Sequence, residues 1–155
     1  MKSLIHPLNS MEANVVAAHV SRALWPRIPE ANFGQCLAIG IYDDSDQLRG
    51  GVVFHNHDPV AKCMEVSTAV DAPGWGTKGN LAKIFGYAFD HADMNYLLAR
   101  IRDSSMPAGR HIFERIGCST YTIEKTWEDR KNTRLLIMQK EHWQASRFNE
   151  RNNNG

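Results

Sequence analysis

The sequence predicts an α+β fold: a mixed, mostly antiparallel sheet flanked by helices, in the order α-βββ-α-β-α-ββ. Three observations predict it. Between residues 37 and 70, three alternating segments are joined by short polar turns. From residue 81 the apolar period lengthens from two to about 3.6. The chain then continues as strand, helical stripe and two further strands, with no internal repeat.

Each element follows from a local signal. Asn9-Ser10-Met11-Glu12 reads as a capping box with Asn9 as the cap, three residues before Glu12. Val15, Val16, His19, Val20, Ala23 and Leu24 then recur at helical spacing, and Pro26 and Pro29 stop the helix. Leu37, Ile39 and Ile41 alternate as a first strand. Asp43 to Asp46 is a turn by composition, and Leu48 to His55 is the returning strand. Asn56-His57-Asp58-Pro59 is a second turn. In Cys63 to Val70, Met64, Val66, Thr68 and Val70 take one face, and Cys63, Glu65, Ser67 and Ala69 the other. Asp71 to Gly76 is a glycine-rich turn. Leu81, Ile84, Phe85, Ala88, Phe89 and Ala92 form the stripe of an amphipathic helix. Tyr96 to Arg102 is a strand, and Pro107 opens a helix that Gly117 closes. Ser119 to Ile123 and Leu135 to Met138 are the last strands.

At 155 residues the chain is the size of one domain, expected over residues 1–146, with a polar disordered tail over 147–155. The composition, 43% hydrophobic and 23% charged, is that of a soluble globular chain. No apolar run is long enough to span a bilayer, and Met1 to Pro7 lacks the apolar stretch of a secretory signal. Cys36, Cys63 and Cys118 are widely spaced, with no C-x-x-C pair, which fits a reducing cytosol better than a disulfide framework or a structural zinc. The net charge of +1 argues neither for nor against nucleic acid.

The segment richest in chemistry runs from Cys63 to His91. A strand feeding a glycine turn and a helix N-terminus makes an anion site, because the first N–H groups of a helix have no intrahelical partner and the dipole favours a phosphate. Lys78 adds a positive charge in the first turn, where the dipole alone disfavours one. His55-Asn56-His57 also stands out, since strict alternation would put both histidines on one face. Two histidines without a third ligand do not make a metal site, so no metal is expected.

This order of elements resembles the GNAT superfamily, the Gcn5-related N-acetyltransferases, over roughly residues 10 to 143 and most closely from Cys63 to Gly117. The resemblance implies acetyl-CoA as co-substrate. Its pantetheine would lie along Val66, Ser67, Thr68 and Val70. Its pyrophosphate would lie on Trp75, Gly76, Thr77, Lys78, Gly79 and Asn80. Tyr96 to Ile101 and Ile112 to Cys118 match the strand and helix that follow in the family. In place of the usual Arg/Gln-x-x-Gly-x-Gly/Ala loop, the chain has Gly74-Trp75-Gly76-Thr77-Lys78-Gly79, which resembles a variant of bacteriophage-encoded members. Ser104-Ser105-Met106 replaces a frequent asparagine, and Phe113 falls where a tyrosine often serves as the acid.

Within that resemblance, the expected activity is direct transfer of an acetyl (acyl) group to an amine acceptor. Glu65, mid-strand and half-buried, is the candidate base. A backbone N–H near Val66 or Ser67 is placed to polarise the thioester carbonyl. Ser105, with Ser104 and Tyr121, is a candidate acid, and His55 a candidate for proton transfer or substrate contact. Trp25 and Trp127 fall in loops that flank the acceptor cleft in this superfamily. The expected setting is the cytoplasm, that of a bacterial host for a phage-encoded member, and a homodimer is compatible with the size. Two other readings are a Mom-like enzyme modifying DNA adenine, with Arg100, Arg102, Arg110, Arg130, Lys131 and Arg134 on phosphates, and a non-catalytic binding or anti-defence module on the same fold. The balanced charge argues against the DNA-modifying reading.

Overall fold

The computed structural model describes residues 1–102 and 116–149. The chain runs β1 (Lys2–His6), α1 (Met11–Leu24), β2 (Leu37–Tyr42), β3 (Leu48–Asp58), β4 (Cys63–Val70), α2 (Lys78–Gly86) with a π-helical extension (Tyr87–His91), β5 (Tyr96–Arg102), β6 (Ser119–Ile123), β7 (Thr133–Gln139) and α3 (Lys140–Ala145). Among the described residues, seven strands form one sheet in the order β1-β2-β3-β4-β5-β7-β6. All neighbours are antiparallel except β4 and β5. The α+β sheet expected from the alternation is therefore present.

Helices cover both faces, and each face has its own core. On one, Ala13, Val16, Ala17 and Val20 of α1 pack on Cys36, Ala38 and Val53. On the other, Leu81, Ile84, Phe85, Ala88 and Phe89 pack on Ile39, Val52, Phe54, Met64, Leu97 and Met138, with Trp143 of α3 buried among them. The α2 stripe is the one the 3.6 period gave. The α1 stripe is not: Val15 and Leu24 are exposed, and alanines fill the buried face because the helix lies close on the sheet.

That closeness has a cause at β3. A Cβ on Gly51 would run into Val16 Cγ1 and come within 2.6 Å of the Ile39 carbonyl oxygen. Gly50, at φ 134°, leaves no room for a Cβ against the Ala69 carbonyl. The pair lets α1 and β4 approach β3 closely.

Several boundaries differ from expectation. The cap of α1 is Ser10, whose Oγ accepts the Ala13 N–H at 3.1 Å. Asn9 is left-handed (φ 55°), and its Oδ1 accepts the Cys36 N–H, so it ties the helix start to β2 instead of capping. The turn expected at 56–59 falls at 59–62, because β3 continues to Asp58 through a register shift after His55. The edge strand β1 lacks alternation and was missed; only Ser3 of its residues is buried. The short α3 was missed because its sequence is polar apart from Trp143 and Ala145. It is tied down where it begins: Lys140, with Lys62 at 2.9 Å, ion-pairs with Asp93 and holds that carboxyl down to about 2.

Packing also reaches past residue 146. Phe148 lies against the larger core and Asn149 is buried, so these two residues do not belong to a loose tail. Of the segment 107–117, Ile116 is buried and Gly117 has φ 92°, as a helix-ending glycine does; its earlier residues lie outside those described.

The glycine pair gives a test. Gly51→Ala is expected to lower the unfolding free energy by about 1–3 kcal/mol, the usual cost of overpacking. It should appear as a lower urea midpoint with unchanged m-value. An unchanged midpoint would mean that α1 is not seated on Gly51.

Candidate functional site

The site grows from the way β4 meets its two neighbours. Toward β3 it is paired along its length, from Asp58↔Cys63 to Gly50↔Val70. Toward β5 only three pairs form: Cys63↔Tyr96, Met64↔Leu97 and Glu65↔Leu98. Beyond them the strands part. Alternate residues of a strand direct N–H and C=O to the same edge. The β4 edge from Val66 to Val70 therefore faces an opening, with no strand partner on that side among the described residues. The far end of β4 is anchored instead to β3, by the Asp71 N–H on the Arg49 carbonyl (2.9 Å) and the Arg49–Asp71 ion pair (3.1 Å).

The glycine turn follows directly. Gly74 has φ 78°, a left-handed turn that favours glycine. Thr77 caps α2, its Oγ1 accepting the Asn80 N–H at 3.2 Å. By helix geometry the N–H groups of Lys78 and Gly79 have no intrahelical acceptor. Thr77, Lys78 and Gly79 are exposed, and a Cβ on Gly79 would meet nothing within 4 Å, so the approach to this terminus is open. Asn80 differs: it is buried, and its Nδ2 donates to the Trp75 carbonyl at 2.7 Å. Asn80 shapes the loop from within, and Trp75 packs its ring on the core. Of the other cofactor candidates, Thr68 spends its hydroxyl on the Gly51 carbonyl (3.0 Å), and Val66 packs on the α2-side core.

At the point of parting lies a cluster on the α1 face. His55 and Glu65 are register partners on β3 and β4, and Ser67 is one step along the same face. The His55 Nε2 lies 2.9 Å from Ser67 Oγ. Its Nδ1 lies 3.6 Å from Glu65 Oε2, an ion-pair distance but too long for a hydrogen bond. Arg100 of β5 reaches Glu65 from the far strand, Nε to Oε1 at 3.2 Å, with a second contact to Oε2 at 3.3 Å. Asn56 donates from its side chain to Glu65 Oε2 at 2.6 Å. Asn56 has φ 50° and sits in the irregularity of β3; bulges commonly re-aim side chains at sites. The His55 ring is packed under Phe33 (4.8 Å between centroids), and Phe33 in turn under Trp25 (5.1 Å). Burial pushes His55 below the usual histidine range, the Arg100 charge adds to this, and Glu65 opposes it.

Among the sequence candidates, Glu65, His55 and Ser67 are thus brought together. His57 is exposed. Tyr121 shares the sheet face of Arg100 through the pairs Arg100↔Leu135 and Tyr121↔Leu135, but two strands away. Trp25 lies in an aromatic column over His55, and Trp127 lies under the Arg102 guanidinium (5.3 Å), which also ion-pairs with Asp129. Ser104, Ser105, Phe113 and Arg110 lie outside the described residues. Arg100 as a carboxylate partner, Asn56 as a donor to Glu65, and Phe33 were missed; Arg100 and Phe33 come from other parts of the chain, and Asn56, although next to His55, meets Glu65 only through the strand register. Burial pushes up the thiols of Cys36 and Cys118, the latter to about 12, so neither is an activated nucleophile. Among the described residues no group of three His, Cys, Asp or Glu side chains could hold a metal ion, and no helix is long and apolar enough to cross a membrane.

No protein-family model matches the sequence, and no curated protein matches it. Solved structures do. Mutant forms of the spermidine/spermine N-acetyltransferase SpeG from Vibrio cholerae are similar with a TM-score of 0.68 and 9% identity, over 93% of this chain and 98% of that one. A chimera of that enzyme and hSSAT gives 0.66 and 10%, over 92% and 99%. SpeG in complex with manganese ions gives 0.63 and 10%, over 93% and 96%. At these identities the likeness is one of architecture: the chain has the GNAT acetyltransferase fold.

The buried histidine generates a prediction. Because burial lowers His55 in the folded chain, the unfolded chain takes up its proton first as pH falls through about 6.5, and stability is lost below that pH. Urea midpoints measured from about pH 7.5 to about pH 5.5 should fall in the parent and fall less in His55→Gln. Parallel profiles would remove His55 as the source.

Proposed function

We propose that the chain is an N-acyltransferase that moves an acetyl group from acetyl-CoA to an amine. The single observation that carries this reading is the parting of β4 from β5 beside the open N-terminus of α2. An extended amide-bearing chain can add to the unpaired edge at Val66–Val70, as a peptide adds to a sheet edge. A pyrophosphate can take the Lys78 and Gly79 N–H groups and the Lys78 charge. The residues present therefore suit a nucleotide thioester. The likeness to enzymes that acetylate spermidine and spermine supports an amine acceptor.

In this reading Glu65 takes the proton of the attacking amine. Its carboxylate lies where the strands separate, and it is oriented by Arg100 and Asn56 on one side and His55 on the other. A nucleic-acid substrate is less well supported. Of the cations that a duplex would need, Arg100 and Arg102 are engaged with Glu65 and Asp129.

Calorimetry with CoA and acetyl-CoA tests the binding half. Lys78→Ala is expected to weaken binding about tenfold, the worth of one charge-assisted hydrogen bond. Gly76→Asp, which sets a negative charge against the phosphates, should weaken it further. For the chemical half, Glu65→Gln should lower turnover about a hundredfold or more with acetyl-CoA affinity kept. Absence of binding to any CoA ester would sink the reading. Unchanged turnover would remove Glu65 as the base.

A further inference from the structure

The α1 face of β3 and β4 carries an acid–histidine–serine constellation, of which the amine acylation proposed above uses Glu65 with His55 beside it and gives Ser67 no chemical step. Ser67 Oγ is 2.9 Å from His55 Nε2, and Glu65 stands behind the other ring nitrogen at 3.6 Å. The order nucleophile, base, carboxylate is the arrangement that activates a serine. The ring is fixed in that orientation by Phe33 above it and by strand pairing below it. Glu65 is fixed in turn by Arg100 and Asn56, so the charge behind the histidine does not wander. The three members differ in access. His55 is 7% exposed, whereas Ser67 is half-buried and follows the last β4–β5 pair, where the strand edge is open.

We propose that Ser67 is a nucleophile, and that the chain cleaves short acyl esters and thioesters through an acyl-Ser67 intermediate with His55 as the base. Ser67 Oγ attacks the acyl carbon, and a C–O bond forms as the bond to the leaving alcohol or thiol breaks. The hydroxyl proton passes to His55 Nε2 and on to the leaving oxygen or sulfur. Water then attacks the acyl carbon and gives a proton to His55 Nε2. The bond to Oγ breaks, the proton returns to Ser67, and the acid leaves. The net change is ester plus water to acid plus alcohol. Glu65 carries negative charge next to Nδ1, where it stabilises the imidazolium that forms in each half. The activity shares Glu65 and His55 with the function proposed above but needs neither an amine nor the phosphate loop, so the two are tested separately.

The test uses the full chain with a fluorophosphonate probe and p-nitrophenyl acetate. The expected result is a single fluorophosphonate adduct, located on Ser67 by peptide mass spectrometry and absent from Ser67→Ala. Ester hydrolysis should be lost in Ser67→Ala and slowed about a hundredfold or more in His55→Gln. Circular dichroism and urea midpoints show whether each variant is folded, and Ser67→Cys, which keeps a nucleophile, should retain an acylated side chain even if Ser67→Ala misfolds. No adduct, an adduct on another residue, or hydrolysis by Ser67→Ala at the parent rate overturns the proposal. CoA binding is read separately. Binding without Ser67 labelling rejects the serine and keeps the acyltransferase, and labelling without binding does the reverse.

Discussion

Three residue pairs hold β4 to β5, and the separation that follows is the constraint on which the rest of the site depends. A sheet normally satisfies its backbone groups strand by strand. Here pairing stops after Glu65↔Leu98, although β4 runs five residues further and β5 four. The sheet can tolerate this because its two halves are each complete without the missing pairs: β1 to β4 on one side, and β5, β7 and β6 on the other. α2 and its π-helical extension span the gap from below, packing on Val52, Phe54 and Met64 of one half and on Leu97 and Met138 of the other. The opening is therefore held by a core, and is not a defect of pairing.

The carboxylate at the apex shows how the two halves are joined electrostatically. Glu65 belongs to one half and Arg100 to the other, and their contact crosses just where hydrogen bonding between the strands ends. Arg100 is well exposed, so the pair contributes little to stability in water. Its effect is orientation. The neighbouring His55 is in the opposite situation, too buried to welcome a proton and held between an aromatic ring and the strand. An exposed cation, a half-buried carboxylate and a buried imidazole within one cluster give three groups with different responses to the same ligand.

Much of the fold was legible because its elements obey one period each. The boundaries of β4 follow from alternation, those of β5 and β6 coincide with the segments read as strands, and the buried stripe of α2 follows from the 3.6 spacing. Where two rules compete, the reading failed. Asn9 satisfies the spacing of a cap, but its backbone is left-handed, and Ser10 takes the role. Asn56-His57-Asp58-Pro59 has the composition of a turn, yet the ladder continues to Asp58. The edge strand β1 and helix α3 have no period of their own and are fixed by neighbours distant in sequence. The site was legible where one strand carries it, as with Glu65, and illegible where it is assembled. Nothing in the sequence relates Phe33 and Arg100 to His55 and Glu65, since only the fold makes them neighbours; Asn56 adjoins His55, but only the strand register brings it to Glu65.

The bulge at Asn56 has a consequence for how such chains change over time. Its backbone lies at φ 50°, a region that glycine, asparagine and aspartate enter most readily. Its amide holds Glu65. Glycine meets the first demand and loses the second; glutamine keeps an amide and loses the first; aspartate sets two carboxylates against each other. Asparagine alone meets both. The position is thus bound to its partner nine residues on, and the spacing His-Asn-x8-Glu-x-Ser is a short thread by which relatives could be traced after overall identity has faded.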